Sequence, residues 1–215
     1  MAALSFYLIL AVTLILGTMF VLFNKASMLG LAVKSLAPLS CLMLALVAAN
    51  LSSSFGGYTL FVCLGLGIII AVETYAAAQK ENQNYTFLSG LNLVAVLAFV
   101  VAGVLLAQIN VFALGLGALL GTSVACVVMI FKKLSRLQST FVCLNIIAAF
   151  AMLGQGVALL MSGMLLPAII FTVSAVLTFS HLLLKLFGSG KVCLIITNVL
   201  RILSLVAIAT SIYFL

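Results

Sequence analysis

The residue best suited to chemistry is Glu73, a carboxylate inside the apolar run Phe61–Gln79. The chain has only two acidic residues, and the other, Glu81, follows in the adjoining loop. A carboxylate within a segment of membrane-crossing length is costly to keep, so it marks a candidate functional site with a partner to be found. The alternative is that Glu73, close to the polar end of its segment, is protonated or reaches the interface and has no function.

Further polar side chains interrupt other apolar segments at a similar depth. Lys34 and Asn92 each lie a short way into an apolar segment. Near the end of the chain, four polar residues recur at the spacing i, i+4, i+7 and i+11, which places them in one stripe on one helix face; they are Ser174, Thr178, His181 and Lys185. The last segment adds Asn198 and, three residues on, Arg201.

These groups are candidates for one shared site because intramembrane ionisable residues usually face the bundle interior and pair with one another. The expected ionic partners of Glu73 are Lys34 and Arg201. Each residue also has a structural alternative. Lys34 and Lys185 could extend to the headgroups, His181 could satisfy a hydrogen bond, and the amides could join helices; the amides are Asn92, Asn145, Gln155 and Asn198. Arg201 is too deep to reach water easily.

The composition requires these residues to be positioned by membrane-spanning helices. The chain has 215 residues, of which 67% are hydrophobic and 5% charged, whereas soluble chains carry about 25% charged residues. A helix needs about 20 apolar residues to cross the hydrocarbon core. Eight such spans are predicted, at 3–23, 27–49, 57–78, 86–107, 109–131, 139–161, 164–187 and 191–214. We therefore expect an all-α bundle of eight transmembrane helices, a single domain over residues 1–215 with no extramembrane domain.

The charges predict the orientation of these spans. The loops after spans one, three, five and seven carry the basic residues, and the loops after spans two, four and six carry no charge; the basic residues are Lys25, Lys80, Lys132, Lys133, Arg136 and Lys191. By the positive-inside rule, the odd-numbered loops face the cytoplasm and both termini face away from it. The net charge of +7 is thus explained by topology, and no nucleic-acid partner is expected.

Depth and topology together predict a polar cavity among spans two, three, four, seven and eight, open toward the odd-numbered loops. Recognised motifs for metal, nucleotide or nucleophilic-serine chemistry are absent from the sequence. One histidine and two acidic residues argue against a histidine-rich or di-metal carboxylate site, so no metal and no cofactor is expected.

Three short patterns resemble those of the YhhN-type lysoplasmalogenase family of eight-span membrane proteins. The family has a Lys-Pro near the start of span two, where this chain has Lys34 followed by Pro38. It has Gly-Leu several residues before Gly-Asp in span three, where this chain has Gly65-Leu66 and then Val72-Glu73. A Phe-x-x-Gly-Leu pattern is matched by Phe87–Leu91. The resemblance covers most of the chain.

The resemblance breaks in span seven. There the family has Ala-x-x-Phe-x-x-Ser-Asp, and Ala168, Phe171 and Ser174 match, but Ala175 takes the place of the aspartate. The resemblance implies hydrolysis of the vinyl-ether bond of a lysoplasmalogen to a fatty aldehyde and a glycerophospho-headgroup. Glu73 would be the acid, and the second carboxylate is missing. It therefore implies a divergent hydrolase, or an inactive one.

On this hypothesis Glu73 is the catalytic acid, and the ligand is a lipid substrate or a bilayer lipid. The ligand would be bound by Lys34, Asn92, Ser174, His181 and Arg201. Two other functions are left open by the sequence. The chain could be a non-catalytic channel or carrier, or an accessory subunit of a membrane complex, in which the charge pairs hold helices together or pass ions. It could also be a scaffold with fixed buried pairs. A homo-oligomer or a partner in a membrane complex is compatible with each of these.

Overall fold

The protein is an all-α bundle, seen in a computed structural model that describes residues 2–22, 28–53, 56–79, 84–107 and 110–215. Eight long helices occupy these ranges, and a short 3₁₀ turn follows the last. They are α1 (Ala2–Leu22), α2 (Met28–Ser52), α3 (Gly57–Ala78), α4 (Tyr85–Ala107), α5 (Val111–Phe131), α6 (Arg136–Met161), α7 (Leu165–Phe187) and α8 (Gly190–Ser211), with the 3₁₀ turn at Ile212–Phe214.

Each of the eight helices is long and apolar enough to cross a membrane. At 1.5 Å per residue, the shortest of them, of 21 residues, is about 30 Å long, which matches the hydrocarbon core. The chain is a multi-pass membrane protein, and the predicted fold class is confirmed. Lys25, Lys80 and Glu81, which belong to predicted loops, lie outside the described residues.

Local chemistry explains where several helices begin and end. The side chain of Asn110 accepts a hydrogen bond from the Ala113 amide, and that of Ser135 accepts one from the Gln138 amide. These caps satisfy amides that have no partner within the helix. Because Ser135 caps it, α6 begins at Arg136 rather than at the predicted residue 139. Gly163 has a φ of +85°, which lets the chain turn sharply between α6 and α7.

Six of the helices form a closed ring. Following the contacts, α2 packs on α3, α3 on α4, α4 on α6, α6 on α7, α7 on α8, and α8 on α2 again. Outside this ring, α1 packs on α2 and α8, and α5 packs on α6. The main apolar cluster fills the ring and includes Leu44, Leu66, Phe99, Met152 and Phe171.

The two ends of the ring differ. We call the end at the loops after α1, α3, α5 and α7 the odd-loop end, and the opposite one the even-loop end. At the even-loop end, the Tyr58 and Ser211 hydroxyls are hydrogen-bonded and buried, and the ring of Phe6 stacks on that of Tyr213 with their centroids 4.4 Å apart. These contacts join α1, α3, α8 and the 3₁₀ turn at the even-loop end, while the polar cavity lies at the odd-loop end.

Candidate functional site

A cavity of about 280 Å³ lies at the odd-loop end of the ring. Its walls come from α3, α4, α6, α7 and α8 and from the loop between α5 and α6. Cavities that bind small molecules in proteins range from about 300 to 1,000 Å³, so this one is of a size for a small ligand or for part of a larger one. Four of the predicted site residues line it, namely Glu73, Asn92, His181 and Arg201.

The centre of the site is an ion pair between α3 and α8. Arg201 donates from Nε to Oε1 of Glu73 over 3.2 Å. The Arg201 side chain is 4% exposed and that of Glu73 is 17% exposed, so the cation is buried and the carboxylate reaches the cavity. Breaking such a pair leaves an uncompensated buried charge, which is strongly destabilising. Of the two predicted ionic partners of Glu73, Lys34 and Arg201, Arg201 is confirmed.

Two asparagines continue the ion pair across the ring. Arg201 donates from Nη2 to Oδ1 of Asn92 over 2.8 Å, and Asn92 donates from Nδ2 to Oδ1 of Asn145 over 2.7 Å. Asn145 donates in turn to the backbone carbonyls of Ser89, at 2.9 Å, and Phe141, at 2.8 Å. Hydrogen bonds therefore connect α3, α8, α4 and α6 in that order.

His181 presents its imidazole to the same cavity from α7. Its Nδ1 lies 3.0 Å from the carbonyl oxygen of Thr197 on α8. A carbonyl can only accept, so Nδ1 carries the proton, and in the neutral ring Nε2 is an acceptor. The side chain is buried and lines the cavity. This arrangement fixes the ring and supplies a base or a hydrogen-bond acceptor near the ion pair.

Two lysines lie at the mouth of the cavity. Lys185 belongs to the last turn of α7, and Lys132 caps the C-terminus of α5. Both line the cavity, and neither ammonium group forms a hydrogen bond or an ion pair with the part of the chain that the structure describes. The ring of Phe187 lies beneath Lys132, with Nζ 5.5 Å from its centroid. These ammonium groups can bind an anion.

The rest of the wall is mainly apolar. Seven valine, leucine and isoleucine side chains contribute to it; they are Val72, Leu88, Leu134, Val142, Ile146, Leu182 and Leu186. Cationic groups, an apolar wall and a buried ion pair together suit a ligand that has both an anionic and an apolar part.

Two predicted site residues are placed elsewhere. The Lys34 ammonium lies 3.6 Å from the centroid of the Phe20 ring on α1, an attractive cation–π geometry, and Lys34 forms no ion pair within the described residues. Ser174 is fully buried and donates to the carbonyl of Ser204 over 2.9 Å. Neither residue lines the cavity, so α2 does not contribute to the wall as predicted.

The contribution of α6 to the cavity wall is not predicted from the sequence. Gln138, Val142, Asn145 and Ile146 of this helix line the cavity, but Asn145 was interpreted only as a residue that could join helices. A signal was available, because Asn145 interrupts an apolar segment on the odd-loop side of its span, as Asn92 does. Ala175 is fully buried within the main apolar cluster and does not line the cavity.

Comparisons of the chain with protein-family models, with curated proteins and with solved structures gave no match. The chemistry of the site therefore follows from its own groups. These are the Glu73 carboxylate, one of whose oxygens is bonded to Arg201, the His181 imidazole and the two lysines at the mouth.

Proposed function

We propose that this chain is a membrane-embedded hydrolase of a single-chain phospholipid, similar in its reaction to a lysoplasmalogenase. The observation that carries the proposal is the Glu73 carboxylate in the wall of an amphipathic cavity, with one oxygen held by Arg201. Among the described residues, Oε2 of Glu73 forms no hydrogen bond. It is the oxygen that meets the ligand.

The lipid would enter from the odd-loop end with its headgroup at the mouth. Lys132 and Lys185 would bind the phosphate, because both line the mouth and neither is paired with the described part of the chain. The apolar wall would hold the first carbons of the chain. The remainder would lie outside the cavity, whose volume is about 280 Å³. Arg201, already bonded to Glu73 and Asn92, positions the carboxylate.

The reaction needs one acid and one water molecule. Glu73, when protonated, gives its proton to the vinyl carbon that does not bear oxygen, and the adjacent carbon becomes an oxocarbenium ion. Water adds to that carbon and loses a proton, which returns to the carboxylate, and Nε2 of His181 would accept a hydrogen bond from the attacking water. The resulting hemiacetal breaks its carbon–oxygen bond to give a fatty aldehyde and the glycerophospho-alcohol.

The second candidate function is non-catalytic lipid binding or transport. It is favoured by the lining of the cavity, in which Glu73 is the one carboxylate among the described residues, and by the ion pair that already occupies Oε1 of Glu73. In this case the cavity would bind the same class of ligand and leave it unchanged. By the distribution of basic loop residues, the odd-loop end would face the cytoplasm for either function.

The test is aldehyde release from a lysoplasmenyl lipid by purified protein in detergent. We expect Glu73→Gln to lower the rate about 100-fold or more, which is the usual contribution of a positioned acid. Glu81→Gln is the matched control, because it makes the same change at the one other acidic residue of the chain. It should keep full activity.

Loss of the ion pair could also unfold the protein, so size-exclusion and thermal unfolding must accompany the assay. Glu73→Asp keeps a carboxylate and should retain part of the activity. No release by folded wild-type protein that still binds the lipid would reject the hydrolase and favour the non-catalytic function. No binding of the lipid at all would reject both candidate functions.

A further inference from the structure

The hydrogen bonds that run from α6 to Glu73 form a relay with a fixed direction. We propose that Asn145 is a positioning residue, which orients the carboxylate of Glu73 through Asn92 and Arg201 without touching it. The catalytic consequence rests on the proposed function, whereas the geometric effect on Glu73 does not.

The relay starts at an amide that cannot be flipped. Nδ2 of Asn145 lies 2.9 Å from the carbonyl of Ser89 and 2.8 Å from that of Phe141. Both carbonyls can only accept, so the amide nitrogen must face them and Oδ1 must point the other way. Asn145 is 1% exposed, so water does not replace these bonds. The backbone of α4 and α6 thus determines the orientation of this side chain.

The same reasoning determines the orientation of the Asn92 side-chain amide. Oδ1 of Asn145 is an acceptor, so it selects the Nδ2 end of Asn92, at 2.7 Å. That leaves Oδ1 of Asn92 facing Nη2 of Arg201, at 2.8 Å. A flipped Asn92 would place its NH₂ group against the guanidinium and its oxygen against the oxygen of Asn145. Both contacts would be repulsive, so only one orientation satisfies the two neighbours.

The guanidinium transmits this orientation to the carboxylate. It is planar, so a bond at Nη2 sets the plane in which Nε can donate. Nε donates to Oε1 of Glu73 over 3.2 Å. Oε1 is thereby held on the Arg201 side, and Oε2 is the oxygen available to a ligand in the cavity. Without Asn145, Asn92 could rotate, and the plane of the guanidinium would no longer be defined.

A second set of buried interhelical hydrogen bonds does not include the carboxylate. Ser174 and Ser204 connect α7 to α8 with both side chains buried, and among the described residues neither side chain is hydrogen-bonded to Arg201 or Glu73. Ser174→Ala is therefore a matched control, because it removes a buried bond between helices and leaves the relay intact.

The experiment is infrared spectroscopy of the Glu73 carboxyl group in folded protein. In a Glu81→Gln background, Glu73 is the only acidic side chain left. Subtracting the spectrum of the Glu73→Gln/Glu81→Gln protein removes the absorption of the backbone and of the C-terminal carboxylate. The band that remains reports the hydrogen bonding and charge of Glu73 alone, and a change that merely weakens helix packing does not move it.

We expect Asn145→Leu and Asn92→Leu each to shift this band and Ser174→Ala to leave it unchanged. Because Asn145 acts through Asn92, Asn145→Leu should cause no further shift in the Asn92→Leu protein, a non-additivity that marks direct coupling. If Asn145→Leu does not fold, Asn145→Ser is the substitute, since its hydroxyl can bond the carbonyl of Phe141 within the helix but is too short to reach Asn92.

An unmoved band in folded Asn145→Leu or Asn145→Ser protein overturns the relay, and so does a shift equal to that caused by Ser174→Ala. Activity provides an independent measurement. If the protein is a hydrolase, Asn145→Leu should lower kcat about 100-fold, the usual effect of a 1 Å misplacement, with KM unchanged. A shifted band in a protein that releases no aldehyde would keep the relay and reject only the proposed hydrolase.

Discussion

At the scale of single residues, some buried polar side chains of the bundle are hydrogen-bonded to one another and another is not. Arg201, Asn92 and Asn145 satisfy one another in a chain of hydrogen bonds. Gln155 of α6, fully buried between α4 and α7, has neither its Nε2 nor its Oε1 bonded within the described residues. A buried polar group without a partner lowers stability.

We therefore expect Gln155→Met to stabilise the protein. Methionine is similar in length and flexible enough to fill the same space beside Gly103 and Phe171. Removing two unpaired polar atoms should raise the free energy of unfolding by about 1–3 kcal/mol. The measurement is thermal unfolding in detergent. Asn145→Leu, which breaks satisfied bonds, is the comparison and should lower the midpoint. A lower midpoint for Gln155→Met would show that the amide is bonded.

At the scale of helices, the attachment of α5 depends on glycines in the contact between α5 and α6. A Cβ atom built at Gly117 would lie 2.4 Å from the backbone oxygen of Phe150, and one at Gly154 would lie 2.3 Å from that of Ala113. The two backbones are thus in direct contact, as small residues permit in membrane helices. Because Lys132, which caps the C-terminus of α5, lines the cavity, the packing of α5 also positions the mouth of the site.

Gly117→Ala should therefore separate α5 from α6 and destabilise the bundle by about 1–3 kcal/mol, as overpacking usually does. Gly115→Ala is the matched control on the same helix, because a Cβ there meets nothing within 4 Å. It should be neutral or slightly stabilising, since alanine favours a helix more than glycine does. Equal unfolding midpoints for the two variants would contradict close packing of α5 on α6.

The helices themselves could be predicted from the sequence, and the direction of their side chains could not. Hydropathy gave the number of spans, and their bounds differ from the observed helices by a few residues. The rule that intramembrane charges pair with one another predicted the contact between Glu73 and Arg201. Depth does not say which way a side chain points, so Lys34, expected in the cavity, lies over Phe20 instead.

Ser174 shows the same limit for a polar stripe. Its spacing correctly places it on one face of α7 with Thr178 and His181, but α8 packs against part of that face. Ser174 and Thr178 bond Ser204, while His181 reaches the cavity. Which residues of a stripe remain free depends on the crossing of two helices, and the sequence of one helix does not contain that information.

At the scale of the whole molecule, the site is positioned by asymmetry between the two ends of the ring. At the even-loop end, Tyr58 is hydrogen-bonded to Ser211 and Phe6 stacks on Tyr213. The odd-loop end holds the cavity and its lysines. A ligand would therefore enter from the odd-loop face, and the orientation of the bundle decides from which side of the membrane the site is reached.

The excess of basic residues in the odd-numbered loops predicts that this face is cytoplasmic. Single cysteines can test this in a chain whose five native cysteines have been replaced. Lys133 lies between α5 and α6, Ser162 lies between α6 and α7, and both are exposed.

In sealed vesicles with the cytoplasmic face outward, a membrane-impermeant maleimide should label Lys133→Cys at once. Ser162→Cys should react only after the vesicles are opened, because α6 separates the two positions by one membrane crossing. The reverse pattern would place the cavity on the other side of the membrane and rule out cytoplasmic entry of the lipid. Labelling of both positions in sealed vesicles would contradict a membrane-spanning α6.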